Sequence, residues 1–299
     1  MSALGFILFC MGPLLVSASI ELAKNSTPLT FDEAFSRLYG DQNLMILNEP
    51  GTCVQIRLDE HNGSGFKSQK PYLYSLFSSS IKLPANNYTA GVVVTFYASN
   101  NEAFRDSHDE LDFEFLGHAD GTNWVLQTNV YGNGSVSRGR EERYDLNWFD
   151  PTEDFHRYSI LWTENWIVFY VDDVAIREVK RVDGMGGDYP SKPMNLYATI
   201  WDGSGWATQG GRYKVNYTYA PFAAQYSDLV INGCSISMDP THQQQPDCMD
   251  APRFVTNFNG LMPEEIQKMR DLRIKSLTYS YCHNPSRYPT PLPECTIYT

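Results

Sequence analysis

The chain has 299 residues, 42% hydrophobic, 14% aromatic and 19% charged, with a formal net charge of −12. That length is enough for a sizeable core in one large β domain or two smaller ones, and the composition excludes a disordered chain. The acidic balance argues against nucleic acid, which is bound by Lys and Arg meeting phosphates, and against anionic membranes; a neutral ligand remains.

From Met1 to Ile20 there is no charged side chain, and the apolar runs Leu4–Met11 and Leu14–Val16 close on the small-residue pattern Val16-Ser17-Ala18. Gly12-Pro13 interrupts this short apolar core, so residues 1–18 read as a signal peptide, not a membrane span. No later segment is long and apolar enough to cross a bilayer, so the mature chain is expected to be secreted and free of the membrane. Five sequons, at Asn25, Asn62, Asn87, Asn133 and Asn216, fit that compartment as glycosylation candidates. With Cys10 removed in the signal, Cys53, Cys234, Cys248, Cys282 and Cys295 remain. In an oxidising compartment the last four can pair in three ways; sequence-local pairing, Cys234 with Cys248 and Cys282 with Cys295, is the working hypothesis. Cys53 is then expected to be a buried free thiol. No CxxC spacing supports zinc.

Between residues 70 and 235 the chain reads as short apolar or alternating runs broken by Gly, Asn, Asp and Pro. Strands are predicted over Ala90–Tyr97, Leu111–Phe115, Trp124–Tyr131, Tyr158–Trp162 and Asn195–Trp201. Trp166–Val171 leads through Asp172-Asp173 into Val174–Ile176, a hairpin signal. Many short strands at regular spacing predict a sandwich or jelly roll. Residues 238–250 look like a loop, and Pro263–Leu277 has helical spacing with Ile266, Met269, Leu272 and Leu277 near one stripe. The segment 236–299 reads as an extension packed on a catalytic β domain over 19–235.

The informative strand is His108-Asp109-Glu110-Leu111-Asp112-Phe113-Glu114-Phe115-Leu116-Gly117. Side chains alternate between faces, so Leu111, Phe113 and Phe115 share one face and Glu110, Asp112 and Glu114 the other. A solvated face is the ordinary reading of such a row. Here, however, three acids repel one another with no cation among them. Glu110 and Glu114 lie about 13 Å apart at Cα, and long side chains leaning inward could approach the ~5–5.5 Å separation of a retaining glycosidase pair. One Glu would attack the anomeric carbon while the other, its pKa raised by neighbouring charge, would protonate the leaving oxygen. A divalent metal beside His108 is the rival chemistry, but same-face strand positions are too spread to wrap an ion, so no metal and no cofactor is expected.

The segment HDELDFEFLG resembles the HDEIDFEFLG signature of plant xyloglucan endotransglucosylase/hydrolases, within glycoside hydrolase family 16. The likeness extends to Gln127-Thr128-Asn129, Arg140-Glu141-Glu142-Arg143, Trp148–Thr152, Ser191–Met194, Trp206-Ala207-Thr208 and the tail Cys282…Arg287-Tyr288-Pro289…Glu294-Cys295. Leu111 is a conservative departure; Gly205 stands where aspartate often precedes the tryptophan.

The resemblance implies an all-β fold: a β-jelly-roll sandwich of two curved antiparallel sheets, with a short helix-containing C-terminal extension. It implies Glu110 as nucleophile, Glu114 as general acid/base and Asp112 as the residue that orients and tunes the nucleophile. His108, Gln127, Asn129, Arg143, Trp206, Gly210, Tyr279 and Arg287 match substrate-binding positions. The implied partners are a xyloglucan donor and a xyloglucan or oligosaccharide acceptor, met by a monomer in the cell wall or apoplast. A predominantly hydrolytic enzyme and a lectin-like glucan binder remain alternatives.

Overall fold

Strands with apolar residues at every second position need a second surface to bury against, and here two antiparallel sheets supply it to each other. The structure is a computed structural model describing residues 26–121, 123–236, 255 and 257–297. Among these residues the first sheet has eight strands, in the order β1 (Phe35–Tyr39), β4 (Ser64–Ser68), β13 (Asn195–Asp202), β6 (Val92–Ser99), β7 (Glu110–Leu116), β8 (Val125–Tyr131), β9 (Glu142–Asp145) and β15 (Leu277–Ser280). The second has seven: β12 (Val174–Lys180), β11 (Trp166–Val171), β10 (His156–Trp162), β5 (Tyr72–Lys82), β14 (Phe222–Ser235), β3 (Cys53–Leu58) and β2 (Leu44–Ile46). Each predicted strand is present: Trp166–Val171 has its predicted bounds, Val174–Ile176 runs on four residues to Lys180, and the others shift by one or two residues at an end. The predicted hairpin turns on Asp172 and Asp173, both at positive φ (45° and 66°), the backbone that matches the twist of its two strands.

The core lies between the sheets. Leu111, Phe113 and Phe115 of β7 are fully buried there. Phe113 meets Tyr158 and Phe169 edge-on, with centroids at 5.7 and 5.2 Å, and Phe115 meets Tyr158 at 4.7 Å. These contacts fix the acid strand against the second sheet, because turning it over would expose three large apolar side chains. Phe113→Ala is therefore expected to destabilise the protein by about 3–5 kcal/mol, read as a lowered urea midpoint at constant m.

The C-terminal segment wraps the sandwich. Leu76, Leu161, Val168, Tyr170 and Ala175 form an apolar patch separate from the main core, and α2 (Pro263–Ser276; α1 is the short Phe31–Ala34) covers it with Met269 and Ile266. Glu265 accepts the Met262 N–H at 2.8 Å at the helix start. The helix stops one residue before its predicted end: Leu277 is extended (φ −74°, ψ 116°) and opens β15, which pairs with β9 at the edge of the first sheet. The extension thus contributes a strand to the acid-bearing sheet.

Cys282 and Cys295 are disulfide-bonded with Cα atoms 5.5 Å apart, as expected. Cys234 is also disulfide-bonded, and Cys248 lies outside the described residues. Cys53 is free but only half-buried, not buried as expected; on β3 the inward positions are Val54, Ile56 and Leu58, which leaves Cys53 on the outer face. The signal segment, Asn25 and the loop at 238–250 lie outside the described residues, while Asn62, Asn87, Asn133 and Asn216 are exposed. No helix among the described residues is long and apolar enough to cross a membrane.

Candidate active site

The acids sit where strand register puts them. Opposite Glu110 are Ser99 on β6 and Tyr131 on β8; opposite Asp112 are Tyr97 and Asn129; opposite Glu114 are Thr95 and Gln127. The last row runs on through Thr199 on one side and Arg143 and Tyr279 on the other, crossing six strands of the sheet. All these side chains have the parity that points away from the core. Together with Trp201, Trp206 and Glu141, most of them line a cleft of about 500 Å³ that contains the whole acid row.

The Glu114 row is a hydrogen-bonded chain. Gln127 Nε2 donates to Glu114 Oε2 at 2.5 Å, and Arg143 Nε donates to Gln127 Oε1 at 2.7 Å. The Arg143 guanidinium lies over the Tyr279 ring at 5.6 Å. On the far side the Thr95 and Thr199 hydroxyls bond at 2.6 Å. Asn129 is a second hub: its Nδ2 donates to the Tyr131 hydroxyl at 2.6 Å, and its Oδ1 accepts the Arg140 N–H at 2.8 Å. Asp109, the fourth acid of the segment, points elsewhere. Its carboxylate accepts the backbone N–H groups of Asn133, Ser191 and Lys192, and the Lys192 ammonium at 2.9 Å, and it ties loops together.

Electrostatics separate the three cleft acids from ordinary carboxylates. Burial raises Glu110, although a hydrogen bond from Ser99 and the nearby His108 pull it back. Burial pushes Asp112 well above the usual range, and the charges of Glu110 and Glu114 on either side add to it. Glu114 is pushed up to about 7, first by burial and then by Glu110 and Glu141, against the opposing pull of Gln127 and Arg143. Three carboxyls raised together on a cleft floor, one of them to about 7, are chemically able to hold and exchange a proton near neutrality.

Of the residues singled out in the sequence, Gln127, Asn129, Arg143 and Trp206 line the cleft with the acids. Tyr279 and Arg287 come from the extension and stand beside Arg143 and Glu141. His108 lies at the end of the acid strand, its ring 6.4 Å from that of Tyr131 and its Nδ1 unpartnered. Gly210, at φ +68°, is exposed in the turn after Trp206 and lines nothing in the cleft. Sequence reasoning missed Thr95, Tyr97, Tyr131, Glu141, Thr199 and Trp201, which also line it. Their parity relative to the acids was available in principle, but only once the strand partners and their register were known.

Comparison with known proteins gives the family and the fold. The family model described as Glycosyl hydrolases family 16 matches residues 31–219. The Arabidopsis thaliana protein named "Probable xyloglucan endotransglucosylase/hydrolase protein 28" is 54% identical over 270 residues, covering 90% of this chain and 80% of that one. Xyloglucan endotransglucosylase/hydrolase protein 2 of the same plant is 41% identical over 276 residues, covering 91% of each chain. Among solved structures, a prokaryotic β-1,3-1,4-glucanase (lichenase) derived from a mouse hindgut metagenome matches with a TM-score of 0.52 at 21% identity, covering 68% of this chain and 94% of that one. The Bacillus licheniformis β-glucanase matches with a TM-score of 0.51 at 22% identity, covering 65% and 89%. These two show the fold, a β-jelly roll. With a family model over most of the β sandwich, and relatives of this identity over nearly its whole length, the chain belongs to glycosyl hydrolase family 16, among its xyloglucan endotransglucosylase/hydrolases, and is an enzyme of the glycosidase/transglycosylase type.

Proposed function

We propose that the protein is a secreted cell-wall xyloglucan endotransglucosylase that works with retention through a glycosyl-enzyme on Glu110. The observation that carries this reading is the row Glu110–Asp112–Glu114 on the floor of an open cleft; burial, which pushes Glu114 up to about 7, suits it to the acid's part. In the first step a Glu110 oxygen bonds to the anomeric carbon as the glycosidic C–O bond breaks, and Glu114 gives its proton to the departing oxygen. In the second, Glu114 takes the proton of the acceptor hydroxyl as that oxygen displaces Glu110. Asp112, between the two and itself reluctant to ionise, orients and tunes Glu110.

Water and a sugar hydroxyl compete for the same intermediate. An acceptor bound along Arg143, Tyr279 and Trp206 has a high effective concentration and a fixed orientation, which favours transfer. The relatives' names support xyloglucan as the polymer. Incubation with xyloglucan and fluorescent xyloglucan oligosaccharides tests the reading across a panel of β-glucans. Label is expected in high-mass xyloglucan, outpacing release of reducing ends. Release of reducing ends without incorporation would assign hydrolysis instead.

The pH profile should follow the acids. The first step needs Glu110 ionised and Glu114 protonated, so kcat/KM falls as pH rises through about 7. The Gln127 N–H favours the Glu114 carboxylate. Gln127→Ala removes that donor and loosens Arg143, so the alkaline limb is expected to move up by roughly one unit. A pH–rate series on the two proteins checks the sign.

A further inference from the structure

Arg287, from the C-terminal extension, is bonded to a residue that lines the cleft: its Nη1 donates to Glu141 Oε2 at 2.6 Å. Glu141 lines the cleft beside Arg143, with its side chain 15% exposed. Gly139 is pressed against this pair, since a Cβ there would come 2.5 Å from Glu141 Oε1 and 2.9 Å from Arg287 Nη2. Its backbone (φ −59°, ψ 141°) is open to any residue, so glycine here provides room, not conformation. Two further bonds tie the same two segments together, and a third braces the extension itself. The Tyr288 hydroxyl donates to Gly139 O at 2.7 Å, Tyr281 N–H donates to Glu141 O at 3.1 Å, and Arg287 N–H donates to Asn284 Oδ1 at 3.1 Å within the extension.

We infer that Glu141 is a positioning residue for the acceptor: by holding Arg287 beside the β9 side of the cleft, it sets how well a sugar hydroxyl competes with water for the glycosyl-enzyme. The inference rests on the proposed function above. In both outcomes the anomeric C–O bond to Glu110 breaks, a new C–O bond forms and Glu114 takes one proton. Only the oxygen nucleophile differs, so a group that orients the sugar changes the partition. Because the Glu141 charge also raises Glu114, Glu141→Gln shifts that acid as well; Gly139→Ala, which keeps the charge, isolates the orienting effect. A guanidinium left to swing on a flexible side chain loses that orientation, whereas one paired to Glu141 keeps it.

The test compares wild type, Glu141→Gln, Gly139→Ala and Arg287→Lys, with fluorescent oligosaccharide acceptor varied at fixed xyloglucan and reducing ends counted in parallel. Glu141→Gln removes the charge of the clamp. Gly139→Ala keeps both charges but displaces their side chains. Each is expected to raise acceptor KM about fivefold and shift products toward hydrolysis, an effect the size of a partly exposed ion pair. Gly139→Ala should keep the wild-type hydrolysis rate without acceptor and the wild-type thermal midpoint. Arg287→Lys, which retains a cation for Glu141, should raise acceptor KM less than Glu141→Gln does. Unchanged acceptor KM in both Glu141→Gln and Gly139→Ala would overturn the inference, as would transfer and hydrolysis falling together in Gly139→Ala. Absence of acceptor incorporation in wild type would sink the proposed transferase and the inference with it, and the wild-type arm alone reports that.

Discussion

Replacing Glu110 by Gln is expected to remove both transfer and hydrolysis, on the order of 100,000-fold, because no covalent route remains. Glu114→Gln should lose less on xyloglucan, about 100- to 10,000-fold, the usual contribution of a general acid. The two variants separate further with an aryl xyloglucan oligosaccharide, whose leaving group needs no proton. Glu114→Gln then forms the intermediate but lacks the base to activate an acceptor, so azide, a nucleophile with no proton to lose, restores turnover. Azide does nothing for Glu110→Gln. Steady-state rates with and without azide read both. Rescue of the Glu110 variant, or equal losses unaffected by azide, would reverse or remove the roles assigned here. Since Glu110 and Glu114 share one face of one rigid strand, neither substitution should alter the fold, and unchanged unfolding midpoints serve as the control.

Arg273→Ala is expected to destabilise the protein by about 3–5 kcal/mol, seen as a fall of roughly 10 °C in thermal midpoint. Glu142 lies on the core side of β9, 3% exposed. Its carboxylate accepts both Arg273 terminal nitrogens, at 2.6 and 2.8 Å, the Tyr144 hydroxyl at 2.7 Å and the Ser280 hydroxyl at 2.8 Å. Burial alone would raise this acid, but the Arg273 bonds and charge, with Arg177 and Tyr144, hold it at about 2. Its folded value is therefore below its unfolded one. The stability it contributes is fully present above pH ~4.3 and is lost as pH falls toward 2. Without Arg273 a buried charge is left with half its hydrogen bonds, and that part of the acid dependence flattens. Thermal scans of both proteins between pH 3 and 7 check the size and the window. Substituting Glu142→Gln in the same chain should recover part of the loss, because the orphaned charge is gone. The network joins α2 to β9 and β15, so Arg273→Ala should also weaken acceptor binding through Tyr279 and Arg287 before the fold is lost.

The acid strand was legible because a single strand carries its own evidence: alternation put three aromatic or apolar groups on one face and three acids on the other. The hairpin at Asp172-Asp173 was legible for the same local reason. What escaped is what depends on partners distant in sequence. Tyr97 meets Asp112 and Tyr131 meets Glu110 only through strand register, which no local pattern encodes. The extension's strand, Leu277–Ser280, was read as helix end and tail, because four residues following a helix without a break carry no strand signal; its pairing with Arg143 and Glu142 on β9 makes it a strand. Glu142 and Glu141, adjacent in one motif, look alike in sequence. Alternation sends one into the core against Arg273 and the other into the cleft against Arg287.

One covalent bond is decisive, that between a Glu110 carboxylate oxygen and the anomeric carbon. Glu114→Gln, exposed briefly to the aryl xyloglucan oligosaccharide, quenched in acid and digested with pepsin, should yield a glycosylated peptide whose fragmentation places the sugar on Glu110. Sugar attached at any other residue, or turnover of the aryl donor with no adduct and with inverted configuration in the first product, would contradict it.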